Sequence, residues 1–392
     1  MWSRRASGEE RVNQLTQRLH EKRAEGCAIC DLTVSNPTTA GLPFAHEELR
    51  AALAHAPWEI YDPASLGSAA ARSAIALHLR GFGVPLDPER LLLTGSTSEA
   101  YGYLIKLLCD PGDCLLVPEP SYPLLSVLAA HEAVALRSYS LAYDGAWHID
   151  FASLEAQLRE GVKAIVVVSP NNPTGSCLKR DELRRLLTYG VPVISDEVFW
   201  AYPLTHAEGG CSVLDAEVKP YPRGSLVFRL DGLSKFGGLP QLKLAWTAVD
   251  GEPALVDGAL ARLQFIADAY LSPSAPVQAA IPEILQLAAL TRHALHERLR
   301  ENLGKLDEWI AGQPISRLHL EAGWYTILNL PKIGLDWAAE LLEAGVWLQP
   351  GWFFDLPDER AVVVSLLTEP EEFALGVRRL LQVVADRVGL SP

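Results

Sequence analysis

Apolar positions recur along the chain in two rhythms. Residues 8–26, "GEERVNQLTQRLHEKRAEG", carry them at helical spacing and stop at Gly26, which predicts an amphipathic helix. Six later runs are short and apolar: "LLLTG" (91–95), "CLLVPEP" (114–120), "AIVVVSP" (164–170), "VPVISDE" (191–197), "SLVFRLD" (225–231) and "KLAWTAVD" (243–250). Helical patterns such as "SEAYGYLIKLLCD" and "LKRDELRRLLTYG" separate several of them. Apolar strands alternating with helices predict a mostly parallel sheet covered on both faces. From about Gln286 the pattern turns to long amphipathic helices, then two strand-like runs, "GWYTILNLP" and "AVVVSLL", and a closing helix, "PEEFALGVRRLLQVVADRVG".

The expected fold class is therefore α/β. A three-layer α/β/α large domain spans 44–285, and a smaller α+β domain is assembled from 1–43 and 286–392. The N-terminal helix joins the small domain, because alone it could not bury its apolar face. Length agrees, since 392 residues exceed one ordinary core. No internal repeat interrupts the pattern.

Composition narrows the class. The chain is 49% apolar and 21% charged, as soluble globular proteins are. No apolar run is long enough for a bilayer, so no membrane partner is expected. The first residues, "MWSRRASGEERVNQ", hold no apolar signal core, which predicts a cytoplasmic protein. The net charge of −14 repels a phosphate backbone and argues against nucleic acid. Cys27 and Cys30 have CxxC spacing without the second pair a metal site would want, so no metal is expected and both cysteines are read as packing residues.

Four stretches carry candidate chemistry. In "TGSTSEAYG" (94–102) a strand gives way to a helix, with Ser96 and Glu99 at capping-box spacing. Free N–H groups and the hydroxyls of Ser96, Thr97 and Ser98 make an anion site or a well-capped helix. In "SPNNPTG" (169–175), Asn172 either follows turn chemistry or projects into the crevice at a sheet's carboxyl edge. Asp196 and Glu197 end another apolar strand, where a carboxylate needs a partner or water. Lys235 follows Ser234 in "GLSKFGGLPQLKLAW" (232–246); it is a snorkelling lysine or a desolvated nucleophile. Together they offer an anion cradle, an amide, a carboxylate and an amine at strand ends that converge. Pyridoxal 5'-phosphate uses all four: phosphate, phenolic oxygen, pyridine nitrogen and aldehyde.

At this point the sequence resembles a family, the fold-type-I aminotransferases of class I and II, over nearly its whole length. The resemblance rests on "YDPASLGSAAARSAIA", "TGSTSEA", "PEPSYPLL", "SPNNPTG", "SDEVFW" and "GLSKFGGLPQLKLAW", in that order. It implies that Lys235 forms a Schiff base with the cofactor and then shuttles a proton, and that Asp196 holds the pyridinium. It implies Asn172 on the phenolic oxygen, Tyr122 on the ring face, and Ser96, Thr97, Ser98, Ser234 and Lys243 at the phosphate. Tyr61 is similar to a tyrosine that reaches the neighbouring subunit's phosphate, which implies a homodimer with shared sites. The implied reaction is ping-pong transfer of an amino group from an amino acid to a 2-oxo acid. A lyase or decarboxylase on the same scaffold, and a non-catalytic cofactor-binding regulator, are the alternatives.

Four positions depart from the family pattern. Phe199 stands where a tyrosine often gives the phenolic oxygen a second donor. Lys243 replaces the phosphate-binding arginine, a point cation for a fork, and Gly232 lacks the hydroxyl often found there. Val363 occupies the place of the arginine that clamps the substrate carboxylate; Arg360 is the substitute the sequence offers, with Asn172, Lys243 or the "TVSNPT" turn near Ser35 as further contributors. Trp200, Trp352 and Phe353 suggest either an aromatic-friendly pocket or interface packing.

Overall fold

The computed structural model describes residues 2–3, 5, 13–205 and 210–389. The first helix runs Gln14–Ala24, where the Asn13 side chain accepts from the Thr16 N–H at 2.7 Å; residues 8–12 of the expected helix lie outside the described residues. The strands are β1 (Cys30–Asp31), β2 (Leu91–Thr94), β3 (Cys114–Glu119), β4 (Ala135–Tyr143), β5 (Trp147–Ile149), β6 (Val162–Val168), β7 (Val193–Asp196), β8 (Leu226–Gly232), β9 (Ala245–Gly251), β10 (Ser316–Arg317), β11 (Tyr325–Asn329), β12 (Val346–Trp347), β13 (Gln349–Pro350) and β14 (Ala361–Ser365).

Eight strands form one sheet in the order β2-β9-β8-β7-β6-β3-β4-β5. From β8 to β4 every neighbouring pair is parallel, whereas β9 runs antiparallel to both β8 and β2. The chain is thus α/β with a mostly parallel sheet, as its apolar runs predicted. Alternation along β6 explains the three layers: Ile165 and Val167 face one apolar cluster, Ala164 and Val166 the other. Helices Ala69–Arg80 and Arg180–Leu187 cover the first face, and Thr97–Leu108 and Pro253–Asp268 the second. The β4–β5 hairpin had no counterpart among the predicted strands. Its longer strand mixes exposed and half-buried residues on both faces at the sheet edge, so no clean alternation marks it.

A second, antiparallel sheet has the order β10-β11-β14-β13, and β1 pairs β12 in parallel beside it. Helix Pro370–Val388 buries Phe373, Val377, Leu380 and Val384 in the apolar cluster that this sheet shares. One helix, Ala275–Ile310, serves both cores. Its first half gives Ile281, Ile284 and Leu285 to the large-sheet cluster, and its second half gives Leu295, Leu299 and Leu306 to the other. The change of pattern expected at Gln286 therefore falls inside a continuous helix. Among the described residues no helix is long and apolar enough to cross a membrane. Cys30 is buried as expected, but Cys27 is exposed in the turn after the first helix, so only one of the two packs.

The "SPNNPTG" loop docks on the second sheet's approach segment. The Ala322 N–H donates to the Gly175 carbonyl at 3.0 Å, and Gly175 has φ +65°. A Cβ there would lie 2.0 Å from Leu320 Cδ1 and 2.6 Å from the Ala322 carbonyl oxygen, the latter being backbone that cannot swing aside. Gly175→Ala therefore combines left-handed strain with overpacking, a loss of about 2–4 kcal/mol. The expected result is a lower urea midpoint with an unchanged slope; an unchanged midpoint would show that the loop relaxes.

Candidate active site

Strand direction assembles the site. β2, β3, β6, β7 and β8 all point the same way, so their carboxyl ends share one edge of the sheet, where open α/β sheets bind ligands. Residues just beyond those ends meet there: Ser96–Ser98 after β2, Tyr122 after β3, Asn172 after β6, Asp196 closing β7, and Ser234 and Lys235 after β8. Because β9 is reversed, its amino end reaches the same edge and delivers Lys243. All nine line one cavity of ≈ 350 Å³. Tyr61 does not; it is 75% exposed on the surface beside Trp58 and Ile60.

At the anion end, Ser96 caps helix Thr97–Leu108. Its Oγ accepts from the Glu99 N–H at 3.2 Å and still has its own proton to donate. Glu99 completes the cap one residue earlier than a capping box would, accepting from the Gly95 N–H at 2.6 Å. Gly232 also lines the cavity. A Cβ at 232 would meet Ala245 Cα and Cβ at 2.9 Å, which is why no hydroxyl-bearing residue stands there.

The two acids at the end of β7 divide by strand alternation. Asp196 faces the cavity: Oδ2 accepts from the Tyr101 hydroxyl at 3.2 Å and Oδ1 from the Val198 N–H at 3.3 Å. Burial pushes its pKa up to about 6 against those hydrogen bonds and Lys235. Glu197 points away and is buried, accepting from Arg229 Nε at 2.6 Å and Ser195 Oγ at 3.0 Å. Arg229 Nη1 also donates to Asp231 at 3.2 Å, and Asp231 accepts from Trp200 Nε1 at 2.5 Å. Trp200 thus belongs to the wall behind the site, stacked on Phe236, and does not line this cavity.

Lys235 sits in the short helix Leu233–Phe236, whose backbone is held by the Tyr202 hydroxyl donating to the Lys235 carbonyl at 2.5 Å. Its Nζ lies 4.7 Å from the Trp324 ring centre and 5.6 Å from that of Phe199, and no carboxylate within hydrogen-bond reach holds it among the described residues. Desolvation lowers its pKa to about 8, opposed by Asp196. Asn172 Oδ1 is buried and unpartnered. A lowered lysine, a shielded carboxylate and an orphaned amide converging on one cavity mark a functional site.

Sequence reading singled out neither Tyr101 nor Tyr325, yet both line the cavity, together with Gln349 and Phe354 from the "QPGWFFDLP" stretch (349–357). Tyr101 stands one helical turn after Thr97, a spacing that places both on one face and could have revealed it. Ser35 lines the cavity from the segment after β1. Arg360 does not reach it. That guanidinium donates to Asp358 at 2.7 and 3.0 Å in the loop before β14, so it is spent locally. Trp352 is exposed, while Phe353 packs edge-on against Tyr122 with ring centres 6.1 Å apart.

The family profile of aminotransferase class I and II matches residues 28–374. The chain belongs to this family. Members use pyridoxal 5'-phosphate. The chain is 32% identical over 233 residues to nicotianamine aminotransferase B of Hordeum vulgare, covering 57% of this chain and 41% of that protein. It is 25% identical over 270 residues to tyrosine aminotransferase of Mus musculus, covering 66% of this chain and 57% of the relative. The chain therefore spans about half the length of the curated relatives it matches. In fold it resembles alanine aminotransferase from Pyrococcus furiosus, with a TM-score of 0.81 and 23% identity over 99% of this chain and 100% of the other. The expected fold-type-I architecture is thereby established.

The depressed Lys235 pKa has a consequence for stability. In the unfolded chain lysine titrates near 10.5, and in the fold near 8. Below pH 8 both states carry the proton and the fold bears the full cost of a desolvated charge; the cost disappears as pH rises from 8 to 10.5. In the cofactor-free protein, Lys235→Met is therefore expected to be more stable than wild type at pH 7, with the difference closing across that window. Equal stabilities at pH 7 in urea titrations would contradict the desolvation.

Proposed function

We propose that this chain is a pyridoxal-5'-phosphate-dependent aminotransferase, moving an amino group from a donor to a keto acceptor in ping-pong fashion. The observation that carries the reading is Lys235 and Asp196 in one cavity, the amine over an aromatic floor and the acid under a tyrosine hydroxyl. The donor set fits the cofactor: hydroxyls at a helix N-terminus for its phosphate, the amide N–H groups of Asn172 for its ring oxygen, a shielded acid for its ring nitrogen and an amine for its aldehyde.

Bound there, the cofactor supplies an aldehyde that bonds amines and a protonated ring that draws electrons from the carbon beside them. Lys235, whose pKa is lowered to about 8, gives up its proton far more readily than an ordinary lysine and would take and return the proton at that carbon. Asp196 would hold the proton at the ring nitrogen, and a cationic N–H beside it would lower its own pKa. Ser96, Thr97, Ser98, Ser234 and Lys243 would anchor the phosphate. Asn172 would donate from its amide nitrogen, and Tyr122 would cover the ring.

We place the division into two domains at 44–285 and at 1–43 with 286–392; the support is the separate apolar clusters on either side of the cavity. The working form is a homodimer, in which Tyr61 of one copy reaches the phosphate end of the other. Its support is the exposed apolar run of Trp58, Ile60 and Tyr61. A cytoplasmic location belongs to the same reading, supported by six free cysteines that a reducing compartment would keep as thiols.

Borohydride treatment of the cofactor-loaded protein should fix the cofactor on Lys235, located by peptide mass. An amino donor should discharge the yellow form with release of its keto product, and Lys235→Arg should slow this by about 10²–10⁴-fold. Release of ammonia with pyruvate would point to elimination instead, gas evolution to decarboxylation, and no response to any amine to a non-catalytic role. Phe199→Tyr restores the hydroxyl that the family pattern has at this position. It should lower the pH midpoint of the visible absorbance change, and an unmoved midpoint would count against a role for the missing hydroxyl.

A further inference from the structure

The register of the small sheet places residue 363 with unusual clarity. Val363 in β14 pairs directly with Gln349 in β13 and with Ile327 in β11, and Ser365 pairs with Tyr325. Directly paired residues, and residues two apart, share one face of a sheet. Gln349 and Tyr325 line the cavity, so position 363 is on the cavity-facing side. A long cation placed there would point toward the site. Valine stops short: it is 1% exposed and packed in the apolar cluster.

No other cation takes its place among the described residues. The cavity holds Lys235 and Lys243 alone. Lys243 lies at the helix N-terminus, its carbonyl oxygen 3.9 Å from where a Gly95 Cβ would be. No arginine lines the cavity: Arg292 is stacked over Phe82 and Phe236 with its Nη1 unpartnered, and three others are committed to oxygens elsewhere. Arg360 is held by Asp358, Arg317 by Asp307 at 2.6 Å, and Arg298 donates to the Ala40 carbonyl at 3.0 Å. Apart from Lys235, Lys243 and Asp196 the lining is uncharged, and it includes Ser35, Tyr122, Tyr325, Gln349 and Phe354. A carboxylate entering here would lose water without gaining a cation beyond the two lysines that the cofactor engages.

We propose that the preferred ligands of this cavity are a primary amine and its carbonyl counterpart whose reacting carbon bears no carboxylate, an uncharged or aromatic group resting against Gln349, Tyr325 and Phe354. Donor and acceptor occupy the same cavity in turn, so both meet the same wall. The inference rests on the aminotransferase reading for the reaction, but its recognition half stands on binding alone.

The test uses the cofactor-loaded protein and two unreactive, nearly isosteric probes, 3-phenylpropionate and 3-phenylpropanamide, with dissociation constants from calorimetry. The neutral amide is expected to bind as tightly as the carboxylate or tighter, and tighter binding of the carboxylate overturns the proposal. Val363→Arg should shift the ratio toward the carboxylate by about tenfold or more; a well-folded variant with an unchanged ratio also overturns it. If that variant fails to fold, the wild-type comparison decides alone. In parallel, 2-phenylethylamine should discharge the yellow form at least as fast as phenylalanine. If neither amine does so while the binding order holds, the aminotransferase reading fails and the recognition inference stands. If amines react but carboxylates bind tighter, the reverse is true.

Discussion

A single buried guanidinium ties the carboxyl ends of β7 and β8 together. Arg229 bridges Glu197, one residue beyond β7, and Asp231, one residue before the end of its own strand. All three are shut away from water, and such a cluster tolerates little displacement because an unpaired charge there has nowhere to go. Its geometry decides where the neighbouring residues look. With Glu197 committed inward, Asp196 must look outward to the cavity. With Asp231 committed to Arg229 and Trp200, the chain leaves β8 through Gly232 on the course that brings Lys235 opposite Asp196. The two cavity-facing side chains are thus aimed by charges that do not line the cavity.

Much of this was legible in the chain. Apolar runs bounded by helices imply parallel strands, and parallel strands put their carboxyl ends on one edge. That alone gathers Ser96, Asn172, Asp196 and Lys235 before any coordinate is known. The pairing of "DE" at the end of β7 was also a visible oddity, although which acid turned inward was not.

What stayed hidden depends on long-range pairing. Lys243 was placed by the family resemblance alone, since it joins the site only because β9 runs against its neighbours and no local pattern encodes a strand's direction. Trp200 reads as a pocket aromatic until Asp231, from a different strand, is seen to hold its indole. The β4–β5 hairpin is mixed in character because it closes an exposed edge. Arg360 looked available for a ligand because sequence distance says nothing of the two-residue turn that hands it to Asp358. The neutral wall around Val363 required the register of β11, β13 and β14, each too short to predict its partner.

The helix Ala275–Ile310 has its roots in both apolar cores. A rod of 36 residues is about 54 Å long and, apart from the one bond that Pro282 cannot donate, hydrogen-bonded along its length, so it resists twisting far more than a loop would. The two lobes consequently behave as weights on a common axle. Any rotation of the one that carries Gln349 and Tyr325 relative to the one that carries Lys235 must flex that axle, and the shape of the cleft between them is set by its stiffness.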